Sequence, residues 1–213
     1  MHNSVNNLIS IKKEIQLKKN KTNIIAVSKT FPLNNILPLI NYGHEHYGEN
    51  KVQEAIEKWT TIKYDFKNIK LHLIGKLQTN KVKYILPLFD YIHSLDNIKL
   101  AEKISSEQQK KKFSPKIFIQ VNIGNEEQKS GLKKDKLISF YKLCKSLNLN
   151  IIGTMCIPPN NENTEKYFTE MNKINQELKL KDLSMGMSGD YLDAVEKNAT
   201  YVRIGSKIFG IRD

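Results

Sequence analysis

The chain has 213 residues, 39% of them hydrophobic and 26% charged, with a formal net charge of +12. That balance suits a soluble globular protein with a sizeable core and excludes a disordered, collagenous or membrane-spanning chain. Only Arg203 and Arg212 are arginines, so the surplus is lysine spread along the whole length. This argues against a specific nucleic-acid surface, which leans on the arginine fork, and for solvated helix faces. In chain order, apolar periodicity predicts a helix over residues 8–19 and a first strand over 24–28 (I-I-A-V-S) that runs into Lys29. Pro32 opens a helix, proline being favoured at that early position. A second strand, 44–48 (H-E-H-Y-G), is weak in β character and precedes a helix over 50–62. Strand 71–75 (L-H-L-I-G), a short helix over 79–86 and strand 91–95 (Y-I-H-S-L) follow. Asp96 is positioned to cap a helix over 98–109, which gives way to a lysine-rich turn at 110–112. Strand 117–122, helix 134–147, strand 151–156, helix 163–180, strand 183–188, helix 190–197 and strand 201–205 complete the series.

Strands alternating with helices imply right-handed βαβ units and a parallel sheet. Eight units with no linker predict one domain over residues 1–213, a (β/α)8 TIM barrel with an extra helix in front. The competitor, an open doubly wound sheet, usually carries G-x-G-x-x-G after its first strand, and that fingerprint is absent. The amino terminus has neither the basic segment nor the apolar core of a signal peptide, so a cytoplasmic location is expected. Cys144 and Cys156 form no C-x-x-C pair and read as buried free thiols. His44 and His46 have no matching acidic or cysteine cluster, so no metal is expected there.

In a barrel, every strand's carboxyl end points to one face, where sites are built. That face collects Lys29, Glu49, Asn50, His72, Gly75, His93, Ser94, Gln120, Asn122 and Met155. The last two strands add Ser184, Met185, Met187, Arg203, Gly205 and Ser206. The small, polar stretches S-M-G-M-S and V-R-I-G-S lie where barrels commonly bind phosphate. Lys29 points across the same mouth, and a partly desolvated lysine beside other cations can condense with an aldehyde. An aldehyde carrying a phosphate satisfies both features, and pyridoxal phosphate is the obvious one. Each feature alone has a plainer reading. The lysine could be solvated, S-M-G-M-S a capping turn, and Arg203 an ion-pair partner for Glu49.

Six motifs run in order along nearly the whole chain: A-V-S-K-T at Ala26, G-E-N-x-V-Q-E at Gly48, H-L-I-G-K-L-Q-T-N-K at His72, K-S-G at Lys129, L-S-M-G-M-S at Leu183 and V-R-I-G-S-K-I-F-G at Val202. Taken together they make the sequence closely resemble the pyridoxal phosphate homeostasis proteins, monomeric relatives of the alanine racemase barrel domain, of fold type III. The resemblance implies that Lys29 carries pyridoxal 5'-phosphate as an internal aldimine. It implies that Ser184, Gly205 and Ser206 hold the phosphate and that Arg203 faces the pyridine nitrogen. Asn50, His72, Met185 and the K-S-G segment are expected at the mouth. Lys76, Gly189-Asp190 and Ser206 depart from the family's usual residues without removing a proposed contact. An arginine beside the ring nitrogen keeps its own proton, which makes the ring a poor electron sink. No second domain of the kind that related racemases add is expected. The expectation is therefore a monomeric carrier serving vitamin B6 balance and handing the cofactor to dependent apoenzymes; the alternative is a racemase-like enzyme.

Overall fold

The structure, a computed structural model, describes residues 2–18, 21–159 and 163–210. Its elements run α1 (Asn3–Leu17), β1 (Asn23–Val27), α2 (Leu33–Asn41), β2 (His46–Glu49), α3 (Val52–Asp65), β3 (Lys70–Leu73), α4 (Val82–Ile85) and β4 (Tyr91–Leu95). They continue with α5 (Ile98–Lys111), β5 (Lys116–Val121), α6 (Leu137–Ser146), β6 (Ile151–Cys156), α7 (Glu165–Glu177), β7 (Asp182–Ser184), α8 (Tyr191–Glu196), β8 (Tyr201–Ile204) and α9 (Ser206–Phe209). The eight strands are all parallel and close in sequence order, with β1 paired to both β2 and β8. The expected (β/α)8 barrel is thus the architecture. No helix among the described residues is long and apolar enough to cross a membrane.

Two apolar layers hold it together. The outer one, between strands and helices, is built from residues such as Leu8, Ile36, Trp59, Leu71, Ile104, Phe168 and Val202, all essentially without solvent contact. The inner one fills the barrel with Ile25, Tyr91, Phe118, Met155 and Tyr201. Barrels usually pack this space with branched aliphatics; here rings dominate, with His72 stacked on Tyr91 at 4.0 Å and His93 on Phe118 at 4.3 Å between centroids. Both imidazoles are fully buried, so each needs hydrogen-bond partners inside the barrel.

Local chemistry moves several predicted boundaries. α1 begins five residues early, at Asn3, because Val5 is also on its buried face and His2 Nδ1 accepts from the Ser4 amide; residue 19, expected at its end, lies outside the described residues. Asn97, not Asp96, caps α5, accepting from the Leu100 amide at 2.9 Å. Asp96 instead accepts from the Gly131 amide of the K-S-G segment. The lysines at 110 and 111 continue α5, and Lys112 closes it in a left-handed conformation at φ 51°. β7 stops at Ser184 because Gly186, at φ 88°, turns the chain away. α1 packs against α9 and α2, across the join between β1 and β8, and Asn7 Nδ2 donates to the Ile208 carbonyl at 3.0 Å.

Candidate functional site

At the carboxyl end of β1 and β8 lies a cavity of about 450 Å³. It is lined by Lys29, Asn50, Ile74, Gly75, Met187, Ser188, Gly189, Arg203, Gly205 and Ser206, with Val27 and Ile157 supplying apolar wall. Among these described residues Lys29 and Arg203 are the only ionisable ones.

Lys29 is positioned by its neighbours in sequence. On one side, Ser28 Oγ donates to Glu49 Oε1 at 2.8 Å. On the other, the Thr30 amide donates to Glu54 Oε1 at 2.6 Å. Lys58 joins the two clamps, donating to the Ser28 carbonyl, Glu49 Oε1 and Glu54 Oε1 at 3.0, 3.0 and 3.1 Å. Trp59 Nε1 adds a bond to Glu49 Oε1 at 2.9 Å. Glu49 is fully buried, so this charge is held by a hydroxyl, an indole N–H and one ammonium instead of by water. Thr30 sits at φ 67°, a conformation unfavourable for a β-branched residue, and the same clamp keeps it there. The G-E-N-x-V-Q-E motif thus supplies the support beneath Lys29, a role not apparent from sequence spacing. Glu49 takes no part in an ion pair with Arg203.

Arg203 approaches from β8. Its guanidinium donates to Ser184 Oγ and to the Cys156 carbonyl, both at 2.8 Å. Burial lowers its pKa from the ordinary value, with Cys156 and Asp190 opposing that pull; a guanidinium nonetheless keeps its proton in proteins. The β7–α8 loop closes the cavity's far side. The Met187 amide donates to Asp190 Oδ1 at 2.6 Å, and the Arg203 amide to the Gly186 carbonyl at 2.9 Å. Ser188 Oγ accepts from the amides of Gly205 and Lys207, at 3.3 and 3.5 Å, where α9 begins.

Of the residues expected to hold or line the ligand, the structure gathers five in this cavity, Lys29, Asn50, Arg203, Gly205 and Ser206, joined there by Gly75 and Met187 from the expected strand ends. It separates three others. Ser184 is fully buried one layer below, its hydroxyl engaged by Arg203 and His93, so it does not reach the cavity as a phosphate ligand. His72 is equally buried, deep inside the barrel between His46 and His93. Met185 faces the outer core. The K-S-G segment lies along the end of β5, where Gln120 Nε2 donates to the Ser130 carbonyl. There Lys129 pairs with Glu126 at 2.6 Å and lines a separate depression with Asn122. Beyond the apolar Val27, Ile74 and Ile157, Ser188 and Gly189 are the lining residues that sequence reading did not single out. The signal was present in S-M-G-M-S itself, because its glycine turn directs the second serine, not the first, to the mouth.

The donor set suits an anionic aromatic aldehyde. The cavity offers one amine, one guanidinium, two hydroxyls and three glycine backbones without Cβ atoms in the way. Asn50 Oδ1, in the same wall, is a buried acceptor without a partner in the structure. Gly75 is required here, since a Cβ would stand 2.3 Å from the Asn50 carbonyl oxygen.

Comparison with known proteins finds relatives over nearly the whole chain. The family model described as alanine racemase, N-terminal domain, matches residues 4–213. The pyridoxal phosphate homeostasis protein of Aquifex aeolicus is 39% identical over 204 residues, covering 91% of this chain and 89% of that one. Its counterpart in Haemophilus influenzae is 34% identical over 212 residues, covering 94% and 90%. The structure of PipY from Synechococcus elongatus with PLP bound superposes with a TM-score of 0.89 at 32% identity, covering 97% of this chain and all of that one. An alanine racemase from Clostridium difficile shares the fold alone, at 12% identity and a TM-score of 0.76. Resembling these relatives over nearly its full length, the chain belongs to the pyridoxal phosphate homeostasis proteins, within the alanine racemase N-terminal domain family.

Proposed function

We propose that the protein binds pyridoxal 5'-phosphate in the cavity between β1 and β8 and serves vitamin B6 balance by holding the cofactor, not by turning substrate over. The observation that carries this reading is the meeting of the Lys29 amine, the Arg203 guanidinium and the Ser188–Gly205–Ser206 turn in one cavity. Lys29 forms a Schiff base with the cofactor's aldehyde. Gly205, Ser206 and Ser188 hold the phosphate, Ser188 taking the place expected for Ser184. Arg203 would meet the ring nitrogen, and Asn50 would line the mouth beside it. When bound, the cofactor would supply an electron-withdrawing ring, but an arginine that keeps its proton leaves the ring nitrogen unprotonated and that withdrawal weak. Around it the protein offers little to move protons. Among the described lining residues there is no carboxylate, imidazole or phenol to act as a second acid or base. A relative's PLP complex on the same fold supports the ligand, and the family's name supports the role. The reading includes a cytoplasmic monomer that passes cofactor to apoenzymes.

Purified protein incubated with excess pyridoxal phosphate should show a visible absorbance band. Borohydride should then fix the cofactor to the peptide containing Lys29, and Lys29→Ala should lose both. A wild-type protein without that adduct would refute the assignment. Lys29-dependent entry of solvent deuterium at the α-position of a free amino acid would instead make it a racemase-like enzyme.

A further inference from the structure

Beneath Arg203 the barrel contains an unbroken file of hydrogen bonds. Arg203 donates to Ser184 Oγ at 2.8 Å, and Ser184 Oγ lies 3.0 Å from His93 Nδ1. His93 Nε2 lies 2.9 Å from His72 Nδ1, and His72 Nε2 lies 2.9 Å from His46 Nδ1. Ser184, His93 and His72 are fully or almost fully buried; His46, the first residue of β2, is half-buried at the opposite end of the barrel. The file therefore runs from the cavity floor to the amino-terminal face.

Its proton positions follow from the end that has no choice. A guanidinium can only donate. Among the described residues the Ser184 hydroxyl has no hydrogen-bond neighbours but Arg203 and His93, so its hydrogen goes to His93 Nδ1. His93 must then carry its proton on Nε2 and give it to His72 Nδ1. His72 gives its own Nε2 proton to His46 Nδ1, and His46 keeps a proton on Nε2. All three imidazoles are neutral and share one tautomer. The reverse polarity would leave the Ser184 hydroxyl hydrogen buried without an acceptor, which is costly. A proton added at His46 Nδ1 would meet the His72 N–H head-on.

We propose that His93, His72 and His46 are positioning residues for Arg203: a one-way hydrogen-bond file whose polarity is set by the guanidinium, and which in return pins that guanidinium beneath the cofactor and ties its placement to the protonation of His46. The idea rests on the reading that Arg203 meets the cofactor. Burial lowers the pKa of all three imidazoles, and Arg203 adds to the effect on His93. Around His46, Glu45 and Asp90 favour its protonation while Lys70 and Lys116 oppose it; the rings of Tyr91 and Tyr201 lie against it.

Long-range proton–nitrogen correlation spectra of the full chain, labelled with ¹⁵N-histidine and free of cofactor, read the tautomers directly. The expected result is neutral imidazoles protonated on Nε2 at His46, His72 and His93. An Nδ1 proton on any of them overturns the proposal, whatever the variants do. Ser184→Ala removes the link to Arg203 and spares every imidazole. It should convert His93, His72 and His46 alike into tautomer mixtures and raise the midpoint of His46 titration. A purely structural Ser184 would disturb His93 alone, and that outcome also overturns the proposal. Ser184→Thr, which keeps the hydroxyl, should restore the wild-type pattern. In titrations with pyridoxal phosphate, Ser184→Ala should bind about tenfold more weakly, one lost bond to a charged group. Expected tautomers in a wild-type protein that binds no pyridoxal phosphate would leave the file standing and overturn the cavity reading instead.

Discussion

Glu49 illustrates how much a single buried side chain can hold in place. One of its oxygens accepts from Ser28, Trp59 and Lys58, and those three bonds fix the backbone on which Lys29 stands. Replacing it with leucine strips the acceptor from all three and leaves Lys58 paired only with Glu54 at that site. Glu49→Leu should therefore cost about 3–5 kcal/mol in urea unfolding. Glu49→Gln, which still accepts from the hydroxyl and the indole, should cost about 1–2 kcal/mol. Both should slow borohydride trapping at Lys29, leucine more, because the amine's backbone loosens before the fold fails. None of this was readable in the sequence beyond the motif. G-E-N-x-V-Q-E could be quoted, but which of its residues face the mouth and which face inward depends on where β2 ends and α3 begins.

At the level of elements, the alternation of strands and helices made the barrel legible, because each short apolar run is buried on both faces and each intervening helix has one apolar stripe. Depth within the barrel was not legible. Ser184 and Ser188 look equivalent in L-S-M-G-M-S, yet β7 ends at the first and the turn at Gly186 carries the second to the cavity. In the same way, His46, His72 and His93 are each unremarkable alone. Only the strand register, which sets Gly48 beside His72 and His72 beside Tyr91, places them within reach of one another. α9 was missed because four residues carry too little periodicity to register. The Gly186 turn gives a direct test. A Cβ there would lie 2.6 Å from that of Ala194 and 3.0 Å from the Tyr191 Cα, at a φ that alanine disfavours. Gly186→Ala should lower stability by about 2–4 kcal/mol in thermal unfolding and should weaken cofactor binding through the displaced Met187–Gly189 loop.

For the whole molecule, the buried histidines set the response to acid. His44 is pushed down to about 3 and His72 and His93 well below their ordinary value, burial being the main cause in each. The unfolded chain takes up protons at these positions near pH 6.5 while the folded protein refuses them. Their contribution to stability is thus complete above that pH and falls away below it. The three together should add up to about 4 kcal/mol per pH unit to the slope of unfolding free energy against pH once the pH falls below about 6. A second whole-molecule property follows from the join between β1 and β8, where α1 packs on α9 and Asn7 reaches Ile208. Those contacts cannot form on a nascent chain until β8 and α9 have left the ribosome. Lys29 is made early and Arg203 late, so the cavity that both line exists only once β8 has docked on β1. A ligand bound to both then acts as a clasp on the newest contact in the fold, and vitamin supply would bear on how many freshly made chains finish closing.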